Sequence, residues 1–185
     1  MNKINISYLV IISLIFFASL SRIIPHMPNF TPIGAMALFG GAYLNNKYHA
    51  FLIPIASLWI SDLFLNNFIL DFYSEFTWFY PGFLWQYVSF FLIIIIGYFF
   101  LKKLNFKNVF VTTFISSLLF FLVTNFGVWV SGTMYTLDLN GLILCYIMAL
   151  PFYKGTFWGF ICYSAFLFGV IEFSKYKFQT IKNHF

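Results

Sequence analysis

The sequence predicts an all-α, polytopic membrane bundle: six spans plus an outer half-helix, with both termini in the cytoplasm. Three observations carry that expectation. Of 185 residues, 62% are apolar and only 8% charged, against about 45–50% and about 25% in ordinary soluble domains. Ten basic and five acidic side chains cannot coat a water-soluble globule of this size. The apolar residues also form long runs, and Lys102, Lys103, Lys107, Lys175, Lys177 and Lys182 sit at the ends of those runs, where lysines meet anionic headgroups. A soluble enzyme, a disulfide scaffold and a disordered tail are excluded. Residues 1–185 read as one membrane domain, with the lipid bilayer as partner and no nucleic acid.

A helix needs about 20 residues to cross the hydrocarbon core. Segments 5–24, 48–66, 82–101, 107–130 and 155–174 meet or approach that length. The first has a signal-peptide-like start, Met1-Asn2-Lys3 before an apolar run. Bulky Phe16 and Phe17 and then Arg22 crowd any cleavage site, so it reads as a retained helix. Segment 31–45 is shorter and spans with tilt. Segment 139–152, ending at Pro151, is shorter still. Lysines at 102–107 and after Glu172 place both breaks inside. The chain must then cross an even number of times between them, which makes 139–152 a half-helix or re-entrant piece outside. Lys3 and Lys47 fall inside, and the break at 67–81, with Asp71 and Glu75, falls outside. All five tryptophans, Trp59, Trp78, Trp85, Trp129 and Trp158, then lie toward the outer side. A plain interfacial belt would populate both faces, so the bias points to an aromatic-lined outer cavity.

Polar groups are costly in lipid, so their positions are informative. Pro25, Pro28 and Pro32 make the stretch from Ser21 to Pro32 a stiff, extended linker that holds Arg22, His26 and Asn29. Asp62 interrupts an apolar span and marks a candidate site, with Arg22 its expected ion-pair partner. Asn125 and Trp129 share one helix face, an amide beside an indole. Ala37 and Gly41 form a small-xxx-small face, suited to packing within the chain or to docking another membrane protein. Glu172 should pair with Lys175. Cys145 and Cys162 lack CxxC spacing and read as small apolar residues, not metal ligands. The sequence contains no nucleotide, metal or hydrolase motif, so neither a metal nor a cofactor is expected and an enzyme has little to work with.

The runs SRIIPHMPNFTPIGAMALFGGAYL (Ser21–Leu44) and TNFGVWVSGTMY (Thr124–Tyr135) resemble a family of small bacterial integral membrane proteins of unknown function. The chain's architecture is more faintly similar to the substrate-binding S components of energy-coupling-factor vitamin transporters. That resemblance implies a multi-pass protein of the bacterial inner membrane, without catalytic residues, that captures a small vitamin-like molecule in an outward pocket. Arg22, His26, Asn29, Asp62, Asn125 and Trp129 would line the pocket. Ala37 and Gly41 would dock a membrane coupling protein whose ATPase supplies the energy. The alternative expectation is a structural or assembly protein that recruits its partner through the same small-residue face. A third is a membrane enzyme using Asp62 and His26 as acid and base.

Overall fold

The computed structural model describes residues 6–44, 46–69 and 73–182. Lys3, Asp71, His184 and the side chain of Lys182 lie outside the described residues. Among those described, six α-helices follow one another: α1 Ile6–Leu20, α2 Ile33–Tyr43, α3 Lys47–Phe64, α4 Phe83–Phe100, α5 Phe106–Val130 and α6 Leu139–Lys182. A 3-10 turn, Ser21–Ile23, extends α1, and a π-helical turn, Leu65–Ile69, extends α3. Four helical stretches are long and apolar enough to cross a membrane: Lys47–Ile69, Phe83–Phe100, Phe106–Val130 and Leu139–Lys177. The first three match expected segments closely, because short polar breaks and asparagine caps set their limits. Asn46 accepts from the Tyr48 amide at 2.9 Å and Asn105 from the Asn108 amide at 2.8 Å, each satisfying a donor that the first helical turn leaves free.

The shortest helix sits at the centre. Every residue of α2 from Ile33 to Gly41 is buried, as a helix apolar on all sides must be. It packs chiefly on α4, and also on α1, α3 and α6. A side chain on Gly41 would meet the Ile94 carbonyl and the Tyr98 amide of α4, and one on Gly97 would meet the Leu38 backbone of α2. The two helices thus approach backbone to backbone, which only small residues permit. The face of Ala37 and Gly41 is therefore used inside the chain. Docking of an outside protein at Ala37 and Gly41 would need both residues uncovered, since both are buried within the chain.

The expectation for 139–152 is corrected as well. This segment is not a separate half-helix but the first third of α6, which runs unbroken through Pro151 for 44 residues, about 66 Å at 1.5 Å per residue. Proline removes one hydrogen bond, yet neighbouring helices in a bundle hold such a helix together. Here α5 is the splint: the Phe121 ring lies 5.8 Å from Tyr146 and 4.9 Å from Tyr153, on either side of Pro151. Because α6 starts at Leu139, Trp158 lies well inside it and not at its outer start.

Contacts fix the helix directions. Phe39 meets Phe168 edge to face and Tyr43 bonds Glu172, so α2 runs parallel to α6, while α5 returns antiparallel to both. One end of the bundle therefore gathers Lys47, Lys102, Lys103, Lys107 and Lys175; the other gathers Trp59, Trp78, Trp85 and Trp129. The linker from Pro25 to Pro32 does not stay at that aromatic end. A side chain on Gly155 would strike the Pro28 carbonyl, and one on Gly159 the Thr31 backbone. Gly155 is about 24 Å along α6 from Leu139, so the proline linker packs against the middle of that helix rather than at its start.

Candidate functional site

Arg22 reaches the site from the 3-10 turn after α1, and Asp62 from the last turns of α3. The Arg22 Nη1 to Asp62 Oδ1 distance is 2.7 Å, with the side chains 11% and 6% exposed. The same guanidinium donates to Ser61 Oγ, which in turn donates to the Leu58 carbonyl at 3.0 Å. From α4 the Tyr87 hydroxyl donates to the second Asp62 oxygen at 3.1 Å. The ion pair expected between Arg22 and Asp62 is thus present, and each carboxylate oxygen has a donor.

Around this pair, three buried donors have no partner among the described residues: Arg22 Nε, Trp59 Nε1 and the Tyr80 hydroxyl. Native structures leave few such groups unpaired, and each calls for a reason. Trp59 lies one turn before Asp62 on α3 and stacks on Trp78, 6.2 Å between centroids, with Phe79 at 6.5 Å. Tyr80 follows directly on the linker. Burial and the Asp62 charge push its phenol up from the ordinary range. The linker is held down by Asn67 in the π turn, which donates to the Thr77 carbonyl at 3.0 Å and accepts from the Thr77 amide at 2.6 Å. Sequence reasoning misses Asn67, Tyr80 and Tyr87. Nothing distinguishes them from the other asparagines and the 12 tyrosines until α4 and the linker are laid against α3.

A second feature joins two predicted residues from opposite halves of the chain. Asn29 and Asn125 both line a cavity of about 100 Å³, together with Thr124, Tyr153 and Thr156. Asn29 adopts a left-handed backbone, φ 61°, which asparagine tolerates better than most residues. Asn125 spends its amide N–H on the Phe121 carbonyl, 2.8 Å away. No ionisable acid or base other than the Tyr153 phenol lines this cavity, so it suits neutral hydrogen-bonding groups.

The remaining predicted residues serve elsewhere. His26 is exposed and its Nδ1 lies 2.6 Å from the carbonyl of Ile24 in its own linker. Trp129 shares a face with Asn125 but donates its indole N–H to the Thr136 carbonyl at 2.9 Å, closing the turn between α5 and α6. The six residues therefore form one ion-paired cluster, one small cavity and two local supports, rather than a single pocket. Cys145 is buried, Cys162 exposed, and no group of three or more metal-ligating side chains occurs among the described residues.

No curated protein and no solved structure is significantly similar to this chain. An apolar helical bundle with a buried arginine–aspartate pair, carrying the Ser21–Leu44 and Thr124–Tyr135 runs, matches one family along nearly all of its length: over residues 2–181 the chain belongs to the family of unknown function DUF6580.

Proposed function

We propose that this protein is the substrate-capturing subunit of a membrane uptake system for a small, vitamin-like molecule. The lysine end then faces the cytoplasm by the positive-inside rule, the chain crosses a bacterial inner membrane six times, and both termini are cytoplasmic. The observation that carries the proposal is the set of three unpartnered donors around Arg22 and Asp62, beside the rings of Trp59, Trp78 and Phe79. Aromatic faces beside aimed N–H and O–H groups suit a flat ligand rich in acceptors. Such a ligand needs about 300 Å³ or more, far above the cavity at Asn29 and Asn125. Capture therefore requires the 73–82 linker to lift, with Asn67 as its hinge pin. Energy for release would come from a partner ATPase, since no nucleotide motif is present.

The rival assembly reading would need Ala37 and Gly41 uncovered, since both are buried and Gly41 lies against the α4 backbone. An enzyme reading with Asp62 and His26 as acid and base has no support in the geometry: Asp62 is engaged by Arg22 and Tyr87, and His26 by Ile24.

The test is native mass spectrometry of gently purified protein, comparing wild type with Trp59→Phe and Tyr80→Phe. Each variant keeps an aromatic ring and removes one unpartnered donor. A co-purifying small molecule bound about five- to tenfold more weakly by both variants is the expected result, equivalent to about 1 kcal/mol per hydrogen bond. Retention unchanged in both would remove the cluster as the capture site.

A further inference from the structure

A cavity of about 580 Å³ lies toward the lysine end of the bundle, between the first half of α5 and the second half of α6. That volume is within the range of small-molecule pockets. Its walls are apolar, including Val109, Phe110, Ile161 and Phe168, and Asn105 and Glu172 stand at the lysine end. Two further lining residues are polar and almost fully buried: Thr113, 1% exposed, and Ser164, 2% exposed. Serine and threonine inside helices ordinarily bond the carbonyl three or four residues back. Ser117, Thr124 and Ser174 do so here at 2.7–2.8 Å. The Thr113 and Ser164 hydroxyls instead have no partner among the described residues.

We propose that this cavity binds an uncharged amphiphile, with an aliphatic body along the apolar walls and one oxygen taken by Thr113 and Ser164. Thr113 lies seven residues into α5, about 10 Å along its axis, so the ligand's oxygen sits well below the headgroup level. The one charged lining residue, Glu172, is already met by Lys175 at 2.7 Å and by the Tyr43 hydroxyl at 2.7 Å, so the lining offers no unpaired charge to a charged ligand. The site is independent of the capture site and does not rest on a transport role.

The test uses the full chain in lipid nanodiscs and two photoreactive probes: a diazirine-bearing hexadecanol and the same chain without the hydroxyl. Cross-links are mapped by mass spectrometry. In the wild type the alcohol should label peptides of 106–113 and 161–169 several-fold more than the alkane. The double variant Thr113→Val/Ser164→Ala should erase that preference. Gly169→Phe should suppress labelling by both, since a side chain there enters space with nothing within 4 Å of its Cβ. Should that variant not fold, Ala165→Leu fills the same cavity. Equal labelling by the two probes, indifferent to the double variant, would mean an ordinary lipid chain in a groove and would overturn the proposal. So would no labelling of these peptides.

Discussion

Arg22 and Asp62 behave as one unit. A charge left buried without its partner costs about 3–5 kcal/mol, whereas an apolar pair of similar volume is often neutral or stabilising. Arg22→Ala and Asp62→Ala should therefore each lower unfolding stability by about 3–5 kcal/mol, while Arg22→Met/Asp62→Leu should recover most of that loss. Reversible unfolding in mixed detergent, followed by far-UV circular dichroism, measures all three. A double variant as unstable as the singles together would mean the two residues do not act as a pair. Asp138 offers a contrast at the exposed start of α6. Its carboxylate accepts from the Gly141 amide at 2.7 Å and the Thr136 hydroxyl at 3.0 Å. The Gly141 amide above all, and then Thr136, hold it below the usual aspartate range. A depressed pKa means that the cap's contribution is present above the unfolded value and is lost as pH falls through the folded one. The Gly141 amide resonance should accordingly shift with a midpoint below that of an ordinary aspartate; a midpoint at or above it would show that the cap does not form.

Among the elements, α2 matters most to the bundle. Because its Gly41 lies on the α4 backbone, Gly41→Leu must push the helices apart rather than rotate a neighbour aside. Overpacking of this kind costs about 1–3 kcal/mol and sometimes more, so the variant should elute as a swollen or aggregated species on size exclusion. Normal elution with wild-type melting would show that α2 and α4 do not approach this closely. The same element explains a limit of sequence reasoning. Glycine and alanine at i and i+4 announce a close helix contact, but spacing alone does not say whether the contact is within the chain. Pro151 is similar: the residue announces a lost hydrogen bond, and only the rings of Phe121, Tyr146 and Tyr153 make the helix continuous across it.

For the whole molecule, the proline linker sets a sharper test than the count of spans. Irregular backbone does not face lipid at membrane depth; it is buried in protein or lines water. Residues 24–29 are exposed, yet the linker packs halfway along α6, so on the six-span topology it borders a vestibule open to the aromatic side. In a background lacking Cys145 and Cys162, Met27→Cys should react with a membrane-impermeant thiol reagent from the side that labels Glu75→Cys. It should be protected from the side that labels Lys103→Cys. Failure to label from either side would place lipid or a partner over the linker.

Run lengths and residue types along the chain were enough to specify an all-helical fold with helices long and apolar enough to cross a membrane, the approximate limits of most helices, and the partnership of Arg22 with Asp62. Apolar run length is a local property, and a buried charge has so few possible partners that pairing by elimination succeeds. The rest depends on how the helices pack against one another. Tyr80, Tyr87 and Asn67 join the ion-pair cluster because α4 and its linker fold over α3. Asn125 parts from Trp129 because one turns to a cavity and the other to the Thr136 carbonyl. Thr113 and Ser164 become notable only when the hydrogen bonds open to them are counted, and hydrogen bonds between helices are set by packing, which no spacing along one helix encodes.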